Sequence, residues 1–305
     1  MRSATSGTDQ PPTPSAEREG ILILGLAAFF FSLFSLAGKA ISAEISSAQM
    51  ILVRSVFMVP VLALWARRKG HPLIGGERKF LLFLRGLLGT VSLFAFFYAL
   101  KRLPLADTVL IFQVHPLFVA ALAPLFLKER NRPLHWLLLG VSLAGVVLVV
   151  GPTGEGTWDG RLSALICCVL ASFVYILVRF LRRTEATLTI ALSFPAVSLL
   201  VFGPAFAIGF PGFEWVAPTA IDWVYLSAMS VAAVFGQVLM TLGLGKVPAA
   251  RATGLSNLQV AFALFYGILF FGELPGWVTL AGAFLIVSAQ VALSFGRGTK
   301  ITVQP

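Results

Sequence analysis

The chain alternates between long apolar runs and short polar breaks. A helix that crosses a bilayer needs about 20 mostly apolar residues. Ten runs meet that standard, at 20–40, 47–66, 80–100, 104–127, 134–150, 161–181, 187–209, 221–244, 248–271 and 276–295. Turn-forming residues separate them: Lys69-Gly70-His71-Pro72, Arg132-Pro133, Gly151-Pro152, Pro211-Gly212 and Leu274-Pro275-Gly276. The connections at 101–104 and 245–248 are so short that their flanking helices must be antiparallel neighbours. The pattern predicts an all-α integral membrane protein of ten transmembrane helices.

Composition agrees. Hydrophobic residues make up 58% of the 305 and charged residues 12%, with a mean hydropathy of +0.90. Soluble domains carry about 25% charged residues, so the apolar surplus here must face lipid. Residues 1–19 are polar and rich in Ser, Thr and Pro, and read as a disordered tail, with a second tail at 297–305. Cys167 and Cys168 are adjacent in an apolar run, which suits neither a disulfide framework nor a metal site. No cofactor or metal is expected.

The net charge of +10 does not indicate nucleic acid, because the cations form no stripe among aromatics. They cluster in alternate loops. With the N-terminus inside, the inner loops hold Arg67, Arg68, Lys69, Arg78, Lys79, Lys128, Arg130, Arg132, Arg182, Arg183 and Lys246, while the outer loops hold Lys101, Arg102 and Arg161. Positive loops stay cytoplasmic, which predicts a plasma-membrane protein (inner membrane if bacterial) with both termini in the cytoplasm. All six tryptophans fall near span ends, where an amphipathic ring prefers to lie.

A shift of 144 residues aligns Leu100, Pro104, Ala106, Phe118, Leu125, Phe126 and Glu129 with Leu244, Pro248, Ala250, Phe262, Leu269, Phe270 and Glu273. A shift of 140 aligns Ser32 with Ser172 and Lys39 with Arg179. Each half, 20–150 and 161–296, then holds five spans. An odd count inserts the second half upside down relative to the first, an arrangement common in secondary transporters.

The stretch Tyr98-Ala99-Leu100, Leu103-Pro104-Leu105-Ala106-Asp107, His115-Pro116-Leu117-Phe118 and Leu127-Lys128-Glu129, followed by Gly140 and Gly145, resembles the EamA domain of the drug/metabolite transporter superfamily. So does the second copy, from Val247-Pro248-Ala249-Ala250 through Gly272-Glu273 to Gly282. The resemblance covers roughly 20–296 and implies transport of a small metabolite. It draws attention to Lys39, Arg54 and the Arg85-Gly86 pair. The second copy departs from the first at Gln259-Val260, which stands where the first has His115-Pro116.

A charge at the bilayer centre costs at least about 2.5–3.5 kcal/mol, so polar residues within spans are functional candidates. The substrate-binding candidates are Lys39, Arg54, Gln113, His115, Asn257 and Gln259. Lys39 has two readings, an anchor for a substrate anion or a side chain snorkelling to the headgroups. Arg54 has two as well, an anion fork or a helix tie to carbonyls or Glu44. Arg85, one turn into its span, reads as an anchor at the inner interface. His115 suits proton coupling by its ordinary pKa, or a hydrogen-bonded structural role. Pro116 frees the carbonyl of Phe112 and kinks the span. Asp107, Arg251, Glu129 and Glu273 join Pro116 as coupling or gating candidates, with a salt bridge to Lys101 or Arg102 as the alternative for Asp107. The cationic bias of this set points to a substrate bearing a negative group, such as an organic anion or an amino-acid-like compound.

The expected function is alternating-access transport of that substrate, with protons or a counter-substrate as the coupling partner. No enzymatic activity is expected, because phosphate chemistry needs convergent carboxylates, a His pair or a metal. A lipid or lipid-phosphate flippase, or a non-transporting receptor, on the same scaffold is the competing reading.

Overall fold

The computed structural model describes residues 14–75, 78–115, 117–119, 121–122, 133–150, 156–182, 184–243 and 258–295. Among them lie ten helices: α1 (Pro14–Ala40), α2 (Ser47–Arg68), α3 (Lys79–Leu100), α4 (Leu105–Phe112), α5 (Pro133–Val150), α6 (Trp158–Leu181), α7 (Thr187–Ala207), α8 (Ala220–Gly243), α9 (Leu258–Phe271) and α10 (Trp277–Phe295). Six are long and apolar enough to cross a membrane, and four shorter apolar helices fill the remaining expected spans. Side chains such as Leu22, Phe80, Leu137, Val147 and Phe284 are exposed on the outer faces, as lipid contact requires.

Local chemistry sets the helix starts. Ser46 caps α2 by accepting from the Gln49 amide at 3.2 Å, and Thr157 caps α6 by accepting from the Gly160 amide at 3.4 Å. Thr219 and Asp222 bond reciprocally at the start of α8, a capping box in which each side chain takes the other's backbone N–H. Two boundaries depart from expectation. Helix α1 begins at Pro14, inside the stretch expected to be an irregular tail, because proline suits a first helical position and Ala16-Glu17-Arg18-Glu19 are good helix formers. The fourth span, expected as one helix over 104–127, breaks at Gln113-Val114 just ahead of Pro116, and helix resumes at His115.

The major contacts join the two halves. Helix α1 packs on α8 and α3 on α6; α2 packs on α7, α4 on α9 and α5 on α10. Renumbering each half into the other turns the α1–α8 pair into α6–α3 and leaves the last three pairs unchanged. That is the contact pattern of a pseudo-two-fold axis, so the repeat is built into the packing. The α5–α10 crossing is glycine on glycine: a Cβ on Gly145 would lie 2.8 Å from the Gly282 carbonyl, and one on Gly282 would lie 2.7 Å from that of Gly145. Gly140, which also matched the family pattern, has open space beside it.

Loop ties repeat the symmetry. At one end Gln49, third in α2, donates to the Val216 carbonyl at 2.6 Å and accepts from its amide at 3.2 Å. At the other end Thr189, third in α7, donates to the Pro72 carbonyl at 2.6 Å.

Candidate functional site

A cavity with about 140 Å³ of room for water centres lies between the halves. Helices α1, α2, α3, α4, α6, α7, α8 and α9 all contribute to its wall. Most of the wall is aromatic or small, including Phe31, Phe34, Phe96, Phe112, Tyr175 and Phe194. Among the described residues its charged members are both arginines, Arg54 from α2 and Arg85 from α3.

These arginines are almost fully buried, 3% and 2% exposed. Their guanidinium carbons lie 4.7 Å and 5.0 Å from the centroid of one ring, Phe194, and Arg54 also lies 5.8 Å from that of Phe34. Glycine makes the arrangement fit. A Cβ at Gly86 would meet the Ser193 carbonyl at 2.8 Å, and one at Gly89 would press the Phe194 ring at 3.2 Å, so only a bare backbone lets α7 approach α3 this closely. The Nε and Nη1 atoms of both arginines lack hydrogen-bond partners. An unpaired buried ion costs several kcal/mol, whereas a cation–π contact returns about 0.5–2 kcal/mol. The rings therefore do not compensate the two charges. Among the described residues the ion pairs are Lys39–Glu273 and Arg102–Asp159, and neither reaches the cavity arginines.

Arg54 thus faces the cavity, and among the described residues its Nε and Nη1 make no tie to a carbonyl or to Glu44. Arg85 was expected at the inner interface. It lines the cavity instead, where the close approach of α7 that Gly86 and Gly89 permit brings Phe194 against its guanidinium.

Lys39 departs from the anchor expectation. Its Nζ is 3.3 Å from Glu273 Oε1 and also donates to the Leu103 carbonyl. The other carboxylate oxygen of Glu273 accepts from the Leu105 amide at 2.7 Å. One ion pair therefore clasps the end of α1, the α3–α4 connection and the end of α9. Gly272, at φ +65°, reverses the chain after α9 so that the Glu273 amide folds back onto the Gly267 carbonyl at 3.0 Å. Gly267 leaves the space: a Cβ there would lie 3.1 Å from Glu273 Oε2.

The same end carries further ties. Lys101 donates to the carbonyls of Ser42, Ala43 and Ile45, and burial pushes its ammonium down to about 8 from the ordinary 10.5, against the opposing pull of Asp222. Asp222 accepts from the Ser42 amide at 2.9 Å. Arg102 Nε lies 2.8 Å from Asp159 Oδ2, with its guanidinium over the Tyr98 ring.

His115 departs from the substrate-binding expectation too. Its Nδ1 lies 2.9 Å from the Phe112 carbonyl, the acceptor that proline at 116 leaves without its helical donor. Its ring packs between those of Phe112 and Tyr175, at 4.7 Å and 4.5 Å, behind two wall residues rather than on the wall. Gln113 is fully buried and also off the wall. Gln259 does line the cavity. Asp107 is buried in the first turn of α4, where the helix dipole favours an acid. Asn257, Pro116, Arg251 and Glu129 lie outside the described residues.

Sequence reasoning passed over Phe194, Tyr175 and Gln237 on the wall. No sequence signal marks the first two, since aromatics are common in spans. Gln237, a polar residue deep in the eighth span, carried the same signal as Gln113.

Ten helices in two inverted halves around a buried cavity define a membrane transporter. The model of the EamA-like transporter family matches twice, at 18–151 and 158–295, and the chain belongs to that family. Among curated relatives, a pseudopaline exporter of Pseudomonas aeruginosa is 31% identical over 280 residues, covering 91% of this chain and 96% of its own. Solute carrier family 35 member G1 of Homo sapiens is 28% identical over 301 residues, covering 91% of this chain and 79% of its own. A solved crystal structure with 19% identity aligns at a TM-score of 0.66 over 91% of this chain and 96% of its own, and shows the fold alone.

Proposed function

We propose that this protein is a secondary transporter that carries a small organic anion by alternating access, with the cavity between its halves as the substrate site. The observation that carries this reading is the pair of buried arginines, unpaired among the described residues, on the cavity wall. The likeness to a pseudopaline exporter supports outward movement of the substrate.

Alternating access needs an end that opens. The positive-inside bias puts the clasp of Lys39, Glu273 and Leu105 on the outer face, and both termini in the cytoplasm. Substrate leaving to that side must part Lys39 from Glu273. In sequence the repeat relates Lys39 to Arg179 and Glu273 to Glu129, so each half encodes one cation and one acid for pairs of this kind. His115, engaged with the Phe112 carbonyl, serves the break in the fourth span rather than proton coupling.

Counterflow in proteoliposomes tests the reading. Labelled organic anions should exchange through wild-type protein and not through Arg54→Ala. Exchange of neutral or zwitterionic solutes only, indifferent to Arg54, would overturn the substrate class. Movement of labelled lipid in place of soluble anions would replace it with a flippase.

A further inference from the structure

We infer that the cavity is built for a ligand with two negative charges, one met by Arg54 and one by Arg85, and that it discriminates against singly charged acids of the same size. The inference rests on the anion-transport reading and names its substrate class.

Both guanidinium carbons lie close to the Phe194 centroid, at 4.7 Å and 5.0 Å, so they are at most 9.7 Å apart. One small molecule spans that distance. The two cations come from separate helices, α2 and α3, and share one ring. Among the described residues no acid lines the cavity beside them. A monoanion would neutralise one arginine and leave the other charged and unsolvated, the situation that costs most in a low-dielectric interior.

The unmet hydrogen-bonding groups agree in sign. Every buried side-chain polar atom on the cavity wall without a partner is a donor: Nε and Nη1 of Arg54, Nε and Nη1 of Arg85, and Nε2 of Gln237. The hydroxyls that face the same space are already spoken for. Ser35 donates to the Phe31 carbonyl at 3.0 Å, Ser92 to that of Cys167 at 3.0 Å, and Tyr175 to the sulfur of Met240 at 3.2 Å. A complementary ligand brings acceptors to both arginines and a third to Gln237. The aromatic wall leaves room for an apolar body between the charged ends, and none of it favours a cation through a carboxylate. A dicarboxylate and a phosphomonoester share this chemistry.

The test is ligand-induced thermal stabilisation of the purified full-length protein, followed by tryptophan fluorescence. The probes are butyrate, succinate, glutarate, inorganic phosphate and glycerol 3-phosphate. A charge-assisted hydrogen bond contributes enough that the better dianion should bind about tenfold or more tightly than butyrate. Whether a dicarboxylate or a phosphate leads identifies the acid group. In Arg85→Gln, which keeps a donor but loses the charge, the preference for dianions over butyrate should collapse to near unity. Butyrate binding as tightly as succinate and the phosphates would overturn the inference, as would an Arg85→Gln protein with the preference intact. Dianion binding without counterflow of the same dianion would leave the inference standing and defeat the transport reading. Failure of every probe to stabilise folded protein would defeat both.

Discussion

Two sets of basic residues are set into the apolar helices, and they are used in opposite ways. Lys39 ends α1 and is paired with Glu273 and the Leu103 carbonyl. Arg54 and Arg85 lie deeper, have no acid beside them among the described residues, and rest on one phenylalanine ring. The first set stabilises a closed end of the molecule. The second is held at a cost that the fold itself does not recover. A charge that the fold leaves unpaired is the one to read as a ligand site. Depth alone marks all three as candidates; the presence or absence of a partner is what separates their uses.

The largest expected effect separates stability from transport at the arginines. Arg54→Met or Arg85→Met removes an uncompensated buried ion, so the thermal midpoint should hold or rise. Anion counterflow should nevertheless fall by about 100-fold, the upper range for losing a charge-assisted hydrogen bond. Expression, thermal midpoint and counterflow measured on the same preparations check this. A fall in stability matching the loss of transport would erase the contrast with Lys39.

Lys39→Met should show the reverse. It strands the Glu273 carboxylate, mostly buried, and should destabilise by about 1–3 kcal/mol. Lys39→Met combined with Glu273→Gln should recover part of that loss, since neither charge is left alone. Chemical denaturation of the four proteins in the cycle measures the coupling.

Phe194→Leu keeps most of the packing volume and removes the ring under both arginines. A loss of about 0.5–2 kcal/mol in anion affinity follows, read as a change in half-saturation of counterflow. The smallest effect concerns His115. His115→Asn should weaken the junction after Phe112 by about 1 kcal/mol and leave the shape of the pH profile of transport unchanged. A profile that shifts with this substitution would restore His115 as a coupling group.

The sequence carried the spans because lipid demands long apolar runs, and α2, observed at Ser47–Arg68, begins where the run does. It carried the repeat because Pro104 and Pro248, and Glu129 and Glu273, bracket matching spans. The site was harder to read. Insertion cost flags a residue's depth but says nothing about which way its side chain points, and that direction depends on neighbours far along the chain. Arg85 reads as an interface anchor by depth alone, and it meets Phe194 across a contact that Gly86 and Gly89 leave open for α7. Lys39 reads as an anchor until Gly267 and Gly272 bring Glu273 back to meet it. His115 was legible in part, since the same reasoning that freed the Phe112 carbonyl identified the acceptor its ring nitrogen meets.

The most direct test of the central claim is half-saturation for anion counterflow in proteoliposomes holding wild type, Arg85→Gln or Lys39→Ala at equal, verified incorporation. The arginine account predicts that Arg85→Gln raises half-saturation by about tenfold or more, while Lys39→Ala keeps the wild-type value and changes the exchange rate. Wild-type half-saturation in Arg85→Gln, with anion recognition lost in Lys39→Ala, would contradict it.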